Sequence, residues 1–279
     1  GKQVGAPVYE LFGGTGTTVP VADVIGIYGV EETLERVERA AGSGAETIKL
    51  KVGTRDVGGL GGYERDVQVI RGGHQIVEGA DQPVRLVADA NQGFVTPERT
   101  LRIAREIEGC LAWLEQPILA GDKAGFREVK AGCDLPLMAD ESVHDIHDAR
   151  LLLEWGAVDY LNLKLMKTGG LVETLRIADL AERHGVPCQM GSMLENQIGC
   201  AICAHTFCCH TNILTTELCS LGMLAGWIGS GIAVGEHHLE LSDTPGIGIE
   251  VEPVEIVTHL VSESDSLTYD RIRNGFGIS

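Results

Sequence analysis

The chain has 279 residues, of which 44% are hydrophobic, and a formal net charge of −18. That length accommodates one large α/β barrel or two ordinary domains. The negative charge argues against nucleic acid and against an anionic membrane surface as partners, because nothing would offset the repulsion from their phosphates. The chain contains no run of about 18 apolar residues and no visible secretory signal, so we expect a cytoplasmic protein.

Short apolar runs alternate with helical segments along the whole chain. The predicted strands are 19–25, 47–52, 84–88, 112–114, 137–139, 160–164, 187–190 and 213–216. The predicted helices are 31–41, 62–78, 97–108, 123–131, 146–154, 171–184 and 197–208. The strands lack a period of two, as expected when both faces are buried. Eight such units predict an α/β fold of the (β/α)8 TIM-barrel type; an open doubly wound sheet is the alternative, although its phosphate-binding fingerprint is missing.

Charged side chains recur where successive predicted strands end. Asp89, Glu115, Asp140 and Lys164 follow one another at intervals of 26, 25 and 24 residues. Because barrel strands deliver their carboxyl ends to one mouth, we expect these groups to meet there. Residues two apart on a strand point the same way, so the side chains of Lys49 and Lys51 would both face the barrel interior.

The residue types at this mouth favour proton abstraction beside a carboxylate. Asp89, Glu115 and Asp140 would repel one another unless a divalent cation lay between them, and an all-oxygen set favours Mg²⁺, with Mn²⁺ as a substitute. Lys51 on the second strand and Lys164 on the sixth would lie on opposite walls. Such lysines can remove a proton from one face and return it to the other, provided that their pKa is lowered from about 10.4.

The motifs at these positions resemble those of the enolase superfamily. They are Lys49-Leu-Lys51, the segments 87–91, 114–117 and 139–142, Asn162-Leu-Lys164 followed by 167–170, and the segment 191–195. Within the superfamily they resemble the muconate lactonizing enzyme (muconate cycloisomerase) subgroup of the mandelate racemase/muconate lactonizing enzyme family. Sites of this superfamily combine a Lys or His base with Mg²⁺.

The resemblance implies a role for each matching residue. Asp89, Glu115 and Asp140 would hold Mg²⁺, Lys51 and Lys164 would be the acid/base pair, and Lys49 would be their electrostatic partner in catalysis. The candidates for substrate-binding or supporting roles are Asn91, Asn162, Glu141, Glu195 and Glu217.

The resemblance also implies a domain organisation. Residues 1–18 would be the tail of an N-terminal α+β capping domain that is mostly absent from this chain. Residues 19–236 would form the enolase-like barrel, and residues 237–279 would return toward the cap. The 38-residue interval between Lys51 and Asp89 predicts an enlarged loop around residues 58–62, near the mouth.

The function implied is that of an isomerase. A racemase, epimerase or cycloisomerase would act on a small carboxylate or amino-acid derivative through an enediolate, and the resemblance implies a homo-oligomer. The first alternative is a dehydratase, a lyase acting on a hydroxy acid such as a hydroxyproline. The second is a non-catalytic fragment or binding remnant that lacks its lid. Dipeptide epimerases of the subgroup carry Asp-x-Asp at the eighth strand, where this chain has Glu217-Leu218-Cys219, which disfavours a dipeptide substrate.

A cysteine cluster suggests zinc as a further alternative. Six of the eight cysteines fall between Cys188 and Cys219, with His205 among them. Residues 197–208 nevertheless predict a single helix, and structural zinc usually takes ligands from separate elements. We therefore interpret these cysteines as small apolar packing residues.

Overall fold

A computed structural model describes residues 1–53, 56–57, 60–218, 220 and 229–251. The predictions for residues 252–279, for Cys219 and for positions 58 and 59 of the enlarged loop lie outside the described residues. On either side of those two positions, Asp56–Val57 pairs antiparallel with Leu60–Gly61.

Eight parallel strands form the central sheet. They are β1 (Asp23–Ile25), β2 (Thr47–Lys51), β3 (Arg85–Asp89), β4 (Leu114–Glu115), β5 (Leu137–Ala139), β6 (Tyr160–Leu163), β7 (Cys188–Met190) and β8 (Ile213–Thr216). Each strand pairs with the next along the chain. The ring is closed by a parallel bridge between Val21 and Thr216, where Ala22 N–H donates to the Thr216 carbonyl over 2.9 Å. The predicted TIM-type barrel is confirmed.

Among the described residues, seven helices of nine or more residues follow the strands on the outside of the barrel. They are α1 (Val30–Gly42), α2 (Gly62–Glu78), α3 (Pro97–Glu106), α4 (Lys123–Gly132), α5 (Ile146–Glu154), α6 (Leu171–Arg183) and α7 (Gln197–Cys208). Their starts are fixed by local chemistry, since Thr96, Asp122, Asp145 and Asn196 each accept a backbone N–H of the first helical turn. No described helix is long and apolar enough to cross a lipid bilayer.

The predicted strand 19–25 divides into two in the structure. Its first part, Thr18–Pro20, pairs antiparallel with His238–Leu241, which in turn pairs with Ile232–Val234 in a small separate sheet. Pro20 is still paired with His238, and Val21 N–H donates to the His237 carbonyl over 2.9 Å while Val21 also bridges to Thr216 of β8, so the chain changes sheets at Val21. This small sheet joins the predicted N-terminal tail to the predicted C-terminal segment; the domain limits themselves stay a prediction.

The barrel interior is apolar at one end and polar at the other. Val87, Trp113 and Met138 form a buried cluster of their own, and the Trp113 and Tyr160 rings lie 4.7 Å apart. Two residues further along the same four segments come Asp89, Glu115, Asp140 and Asn162. Because the side-chain period of a strand is two, the apolar residues form a floor and the polar residues lie directly above it.

Candidate active site

Lys49 lies at the centre of the polar layer. Its ammonium group donates to Glu115 Oε2 over 2.8 Å and to Glu217 Oε1, and it lies 3.1 Å from Asp89 Oδ2. Burial lowers the pKa of Lys49, but the charges of the three carboxylates outweigh burial and raise it well above its usual value. Lys49 therefore stays charged and compensates a concentration of negative charge that the interior would not otherwise tolerate.

Lys51 reaches the mouth on one side of the barrel. Its Nζ donates to Asp89 Oδ2 over 2.6 Å and to Asn91 Oδ1 over 2.8 Å. The Asn91 amide donates in turn to Glu141 Oε1 over 3.1 Å. Asn91 and Glu141 thus act through contacts that orient Lys51, and the Lys51 side chain keeps 29% of its surface exposed toward the mouth.

Lys164 follows β6 and approaches the mouth from another side. Its Nζ donates to Asp140 Oδ2 over 2.6 Å. Burial lowers the pKa of Lys164, but the negative charge of Asp140 outweighs burial and raises it. The lowered lysine pKa expected from the sequence depends on a bound cation and stays a prediction.

Gly191, at the end of β7, makes room for Lys164. A Cβ on Gly191 would overlap Asn162 Oδ1 and lie 2.7 Å from Lys164 Cε. A side chain at this position would displace the lysine from the wall of the barrel.

The carboxylates differ in protonation tendency because their neighbours differ. Burial and the negative charge of Asp89 raise the pKa of Glu115 well above its usual value. Burial also raises the pKa of Asp89, but Lys49 and Lys51 reverse this and bring it below its usual value. Asn162 supports the Glu115 carboxylate, because its amide donates to Glu115 Oε1 over 2.7 Å.

Two functional candidates were missed by sequence reasoning. Lys167 donates to Asp140 Oδ1, to the Asp140 carbonyl over 2.6 Å and to the Asn162 carbonyl over 3.0 Å. Gln116 accepts from the backbone N–H of Asp140 over 2.9 Å and of Ser142 over 3.1 Å. Lys167 and Gln116 both lie within the quoted motifs, but only their contacts with Asp140 in the folded protein indicate a role.

Glu195 and Glu217 do not point freely into the mouth. The Glu195 carboxylate accepts from the Ser192 hydroxyl over 2.6 Å and from Met193 N–H over 2.9 Å, which ties it into its own loop. Asn196, not Glu195, caps α7. Glu217 is 5% exposed and is held by Lys49.

The three predicted metal ligands fit a hard divalent cation by their chemistry. Asp89, Glu115 and Asp140 end neighbouring strands, and both aspartates act on Glu115 by raising its pKa, as crowded like charges do. As they stand, no three Asp, Glu, His or Cys side chains in the described part of the chain converge closely enough to surround an ion. The carboxylate oxygens of Asp89 and Asp140 accept hydrogen bonds from Lys51, Lys164 and Lys167. These hydrogen bonds would have to break before the oxygens could bind an ion.

The cysteine cluster is explained by packing. Residues Gln197–Cys208 form one helix, as the sequence predicted, and Cys200 and Cys203 are buried in the core. Burial raises the pKa of Cys200 to about 11. Among the described residues no three His, Cys, Asp or Glu side chains converge on one point, so the zinc alternative gains no support.

Comparison with known proteins places the chain in a family. Residues 32–255 match the family model described as "Enolase C-terminal domain-like". The chain belongs to the mandelate racemase/muconate lactonizing enzyme family of the enolase superfamily. The resemblance to this family, which the motifs indicated, is confirmed; the narrower resemblance to the muconate lactonizing enzyme subgroup is not.

The similar proteins include epimerases and racemases of amino-acid derivatives and an o-succinylbenzoate synthase, and none of these is a muconate cycloisomerase. An L-Ala-D/L-Glu epimerase of Clostridium acetobutylicum is 33% identical over 90% of this chain and 68% of its own length. An N-succinyl-L-Arg/Lys racemase of Bacillus cereus is 31% identical over 90% of this chain and 66% of its own length. The chain thus spans about two thirds of the length of such relatives.

Solved structures agree with this assignment. The N-succinyl Arg/Lys racemase from Bacillus cereus superposes with a TM-score of 0.84 at 29% identity, covering 92% of this chain and 68% of that one. A dipeptide epimerase from Enterococcus faecalis, complexed with Mg and the dipeptide L-Leu-L-Tyr, superposes with a TM-score of 0.80 at 30% identity, covering 89% and 68%.

Proposed function

We propose that this chain is the catalytic barrel of a Mg²⁺-dependent racemase or epimerase that acts on an amino-acid derivative with a free carboxylate. The single observation that carries the proposal is the pair Lys51 and Lys164, each hydrogen-bonded to a different carboxylate at the mouth of one barrel. Family membership supports it, since relatives that are about 30% identical to this chain over two thirds of their own length are named as epimerases or racemases.

In this proposal the two lysines exchange roles between the substrate enantiomers. The neutral form of one lysine removes the proton α to the substrate carboxylate, and the ammonium form of the other delivers a proton to the opposite face. Asn91 and Glu141 orient Lys51, whereas Gly191 leaves space for Lys164 to move. Lys49 stays protonated and holds Glu115 and Glu217 in the polar layer above the floor.

The proposed ligands of Mg²⁺ are Asp89, Glu115 and Asp140. When bound, the ion would stabilise the negative charge that develops on the substrate carboxylate as the proton leaves. The crystallised relatives that contain Mg support this choice of ion.

A lyase is the second candidate. An o-succinylbenzoate synthase of Geobacillus kaustophilus is 34% identical over 90% of this chain. The same first proton abstraction, followed by loss of a β-hydroxyl, would give elimination instead of isomerisation. No observation other than this similarity to a lyase favours a hydroxyproline-type substrate.

Proton exchange in D₂O separates these possibilities. We expect the protein with Mg²⁺ to replace the α-proton of an N-acylated amino acid or dipeptide by deuterium and to form the other stereoisomer, with no loss of total substrate by NMR. Lys164→Ala should abolish interconversion, whereas the matched control Lys123→Ala, which removes an outer ion pair with Asp148, should leave it intact. Steady disappearance of substrate would indicate a lyase, and wild-type interconversion by Lys164→Ala would refute the proposal.

A further inference from the structure

A buried charged pair lies next to the backbone of Lys51. Arg65 and Asp66, both on α2, are 0% and 1% exposed. Arg65 Nη1 donates to Asp66 Oδ1 over 3.0 Å. A buried ion pair is costly to desolvate, and apolar side chains of the same size fill such a space at a similar or lower free energy. Stability alone therefore does not account for this pair.

The Arg65 guanidinium fixes the end of β2 against the βα unit that precedes it. Its Nη1 also donates to the Lys51 carbonyl over 3.0 Å. Its Nε donates to the Tyr28 carbonyl over 3.1 Å, and its Nη2 donates to Thr33 Oγ1 over 3.3 Å. Because a guanidinium is planar and its N–H groups point in fixed directions, these contacts together define the position of the Lys51 backbone.

The Asp66 carboxylate holds the chain two residues further on. Its Oδ2 accepts from Gly53 N–H over 2.8 Å. Gly53 has a φ of 87°, and a Cβ there would lie 2.6 Å from the Ala90 carbonyl oxygen. Asn91, which accepts from Lys51, follows Ala90 directly. Asp66 thus keeps the segment that carries Lys51 packed against the turn that carries Asn91.

The other lysine at the mouth is held differently. The Lys164 carbonyl accepts from Lys167 N–H over 2.9 Å and from Thr168 N–H over 3.0 Å, both in the helical turn that follows it. Apart from the contact with each other, the described hydrogen bonds of the Arg65 and Asp66 side chains reach residues 28, 33, 51 and 53, on the Lys51 side of the mouth. Disturbing the pair should therefore affect one lysine and spare the other.

We propose that Arg65 and Asp66 are positioning residues for Lys51. They fix the backbone from which this lysine reaches the substrate, and they keep the lysine beside Asn91. The inference rests on the proposed function, in which Lys51 and Lys164 act on opposite faces of the substrate. The pair then controls proton transfer on one face alone.

Proton exchange of separate enantiomers in D₂O tests this proposal. The probes are the L and D forms of N-acetyl-leucine and of glycyl-leucine, each with Mg²⁺. The enantiomer on which Lys51 acts is the one whose α-proton exchange is lost in Lys51→Ala.

Asp66→Asn replaces one acceptor oxygen by an N–H donor, so it must lose its contact with either Arg65 or Gly53. We expect it to slow exchange of the Lys51 enantiomer by about 100-fold and to leave the other enantiomer within about twofold of the wild type, because a small displacement of a catalytic group has effects of that size. A purely structural role would lower both alike. Arg71→Gln, which removes an exposed ion pair with Glu106 from the same helix, is the matched control and should change neither.

Arg65→Lys provides a second variant in case Asp66→Asn is unfolded by circular dichroism. A single ammonium cannot reproduce the planar set of contacts, so the same one-sided loss is expected. An equal loss for both enantiomers in a folded variant, or wild-type rates for both, would overturn the inference and leave the proposed function standing. Exchange of neither probe by the wild type, or of neither enantiomer by Lys51→Ala, would overturn the proposed function and the inference with it.

Discussion

Asp140 is held by two lysines through its carboxylate and by a glutamine through its backbone. Lys164 holds one of its oxygens and Lys167 the other, while the Gln116 amide oxygen accepts its backbone N–H. Burial outweighs the charge of Asp140 and lowers the pKa of Lys167. Lys167 thus positions Asp140 and, through it, Lys164.

Replacing Lys167 tests this positioning role. We expect Lys167→Met to lower kcat by about 100-fold, because a small displacement of a catalytic group has effects of that size. It should also tighten Mg²⁺ binding by calorimetry, because Lys167 holds an Asp140 oxygen that the ion would need; a purely structural residue would leave this affinity unchanged. Lys167→Arg keeps the charge and should bring both values part of the way back to the wild type. Wild-type kcat and Mg²⁺ affinity in Lys167→Met would show that the contact is incidental.

The residues of the site were predictable to different degrees. The acids and lysines at strand ends stood out because charge inside apolar strands is rare. Lys167 and Gln116 did not stand out, since a lysine or glutamine in a loop is ordinary until its partner is known. The pairing of Lys49 with Glu217 joins residues 168 positions apart, and no local pattern reports it.

At the scale of elements, the apolar floor of the barrel determines the height of the site. Val87, Trp113 and Met138 fill the space beneath the polar residues that follow them by two positions. The period of two that sets this alternation can be read from the sequence once the strands are known. The ends of the strands were harder to predict, as the change of sheet after Pro20 illustrates.

Truncating the floor should destabilise the barrel. We expect Met138→Ala to lower the free energy of unfolding by about 2–5 kcal/mol, the usual cost of removing a large buried side chain. Met166→Ala is the matched control, since Met166 is 70% exposed and its loss should change stability by less than about 0.5 kcal/mol. Urea unfolding measures both, and equal stabilities would contradict a packed interior.

At the scale of the whole molecule, the N-terminal segment is fastened to helix α7 of the barrel. Tyr9 lies over His205 of α7 with ring centroids 5.5 Å apart, and Tyr9 N–H donates to His205 Nδ1 over 3.2 Å. An accepting Nδ1 requires a neutral imidazole. Burial lowers the pKa of His205 from its usual value of 6.5, in agreement with that contact.

This contact should make stability depend on pH. Below pH about 6.5 the unfolded chain binds a proton at this histidine while the native chain does not, so the free energy of unfolding falls as the pH drops toward the native pKa. The stabilisation is fully present above pH about 6.5. His205→Gln should flatten this part of the profile, whereas His147→Gln, at an exposed position, should leave it unchanged. An identical slope in the wild type and His205→Gln would contradict the assignment.

Stereospecific exchange tests the central claim, two lysines acting on opposite faces of one substrate. With each enantiomer at the reacting carbon of an exchanging amino-acid derivative supplied separately in D₂O, Lys51→Ala and Lys164→Ala should each lose interconversion and retain exchange of a different enantiomer. If either variant still interconverts the enantiomers at the wild-type rate, or if both retain exchange of the same enantiomer, the two-lysine account is wrong.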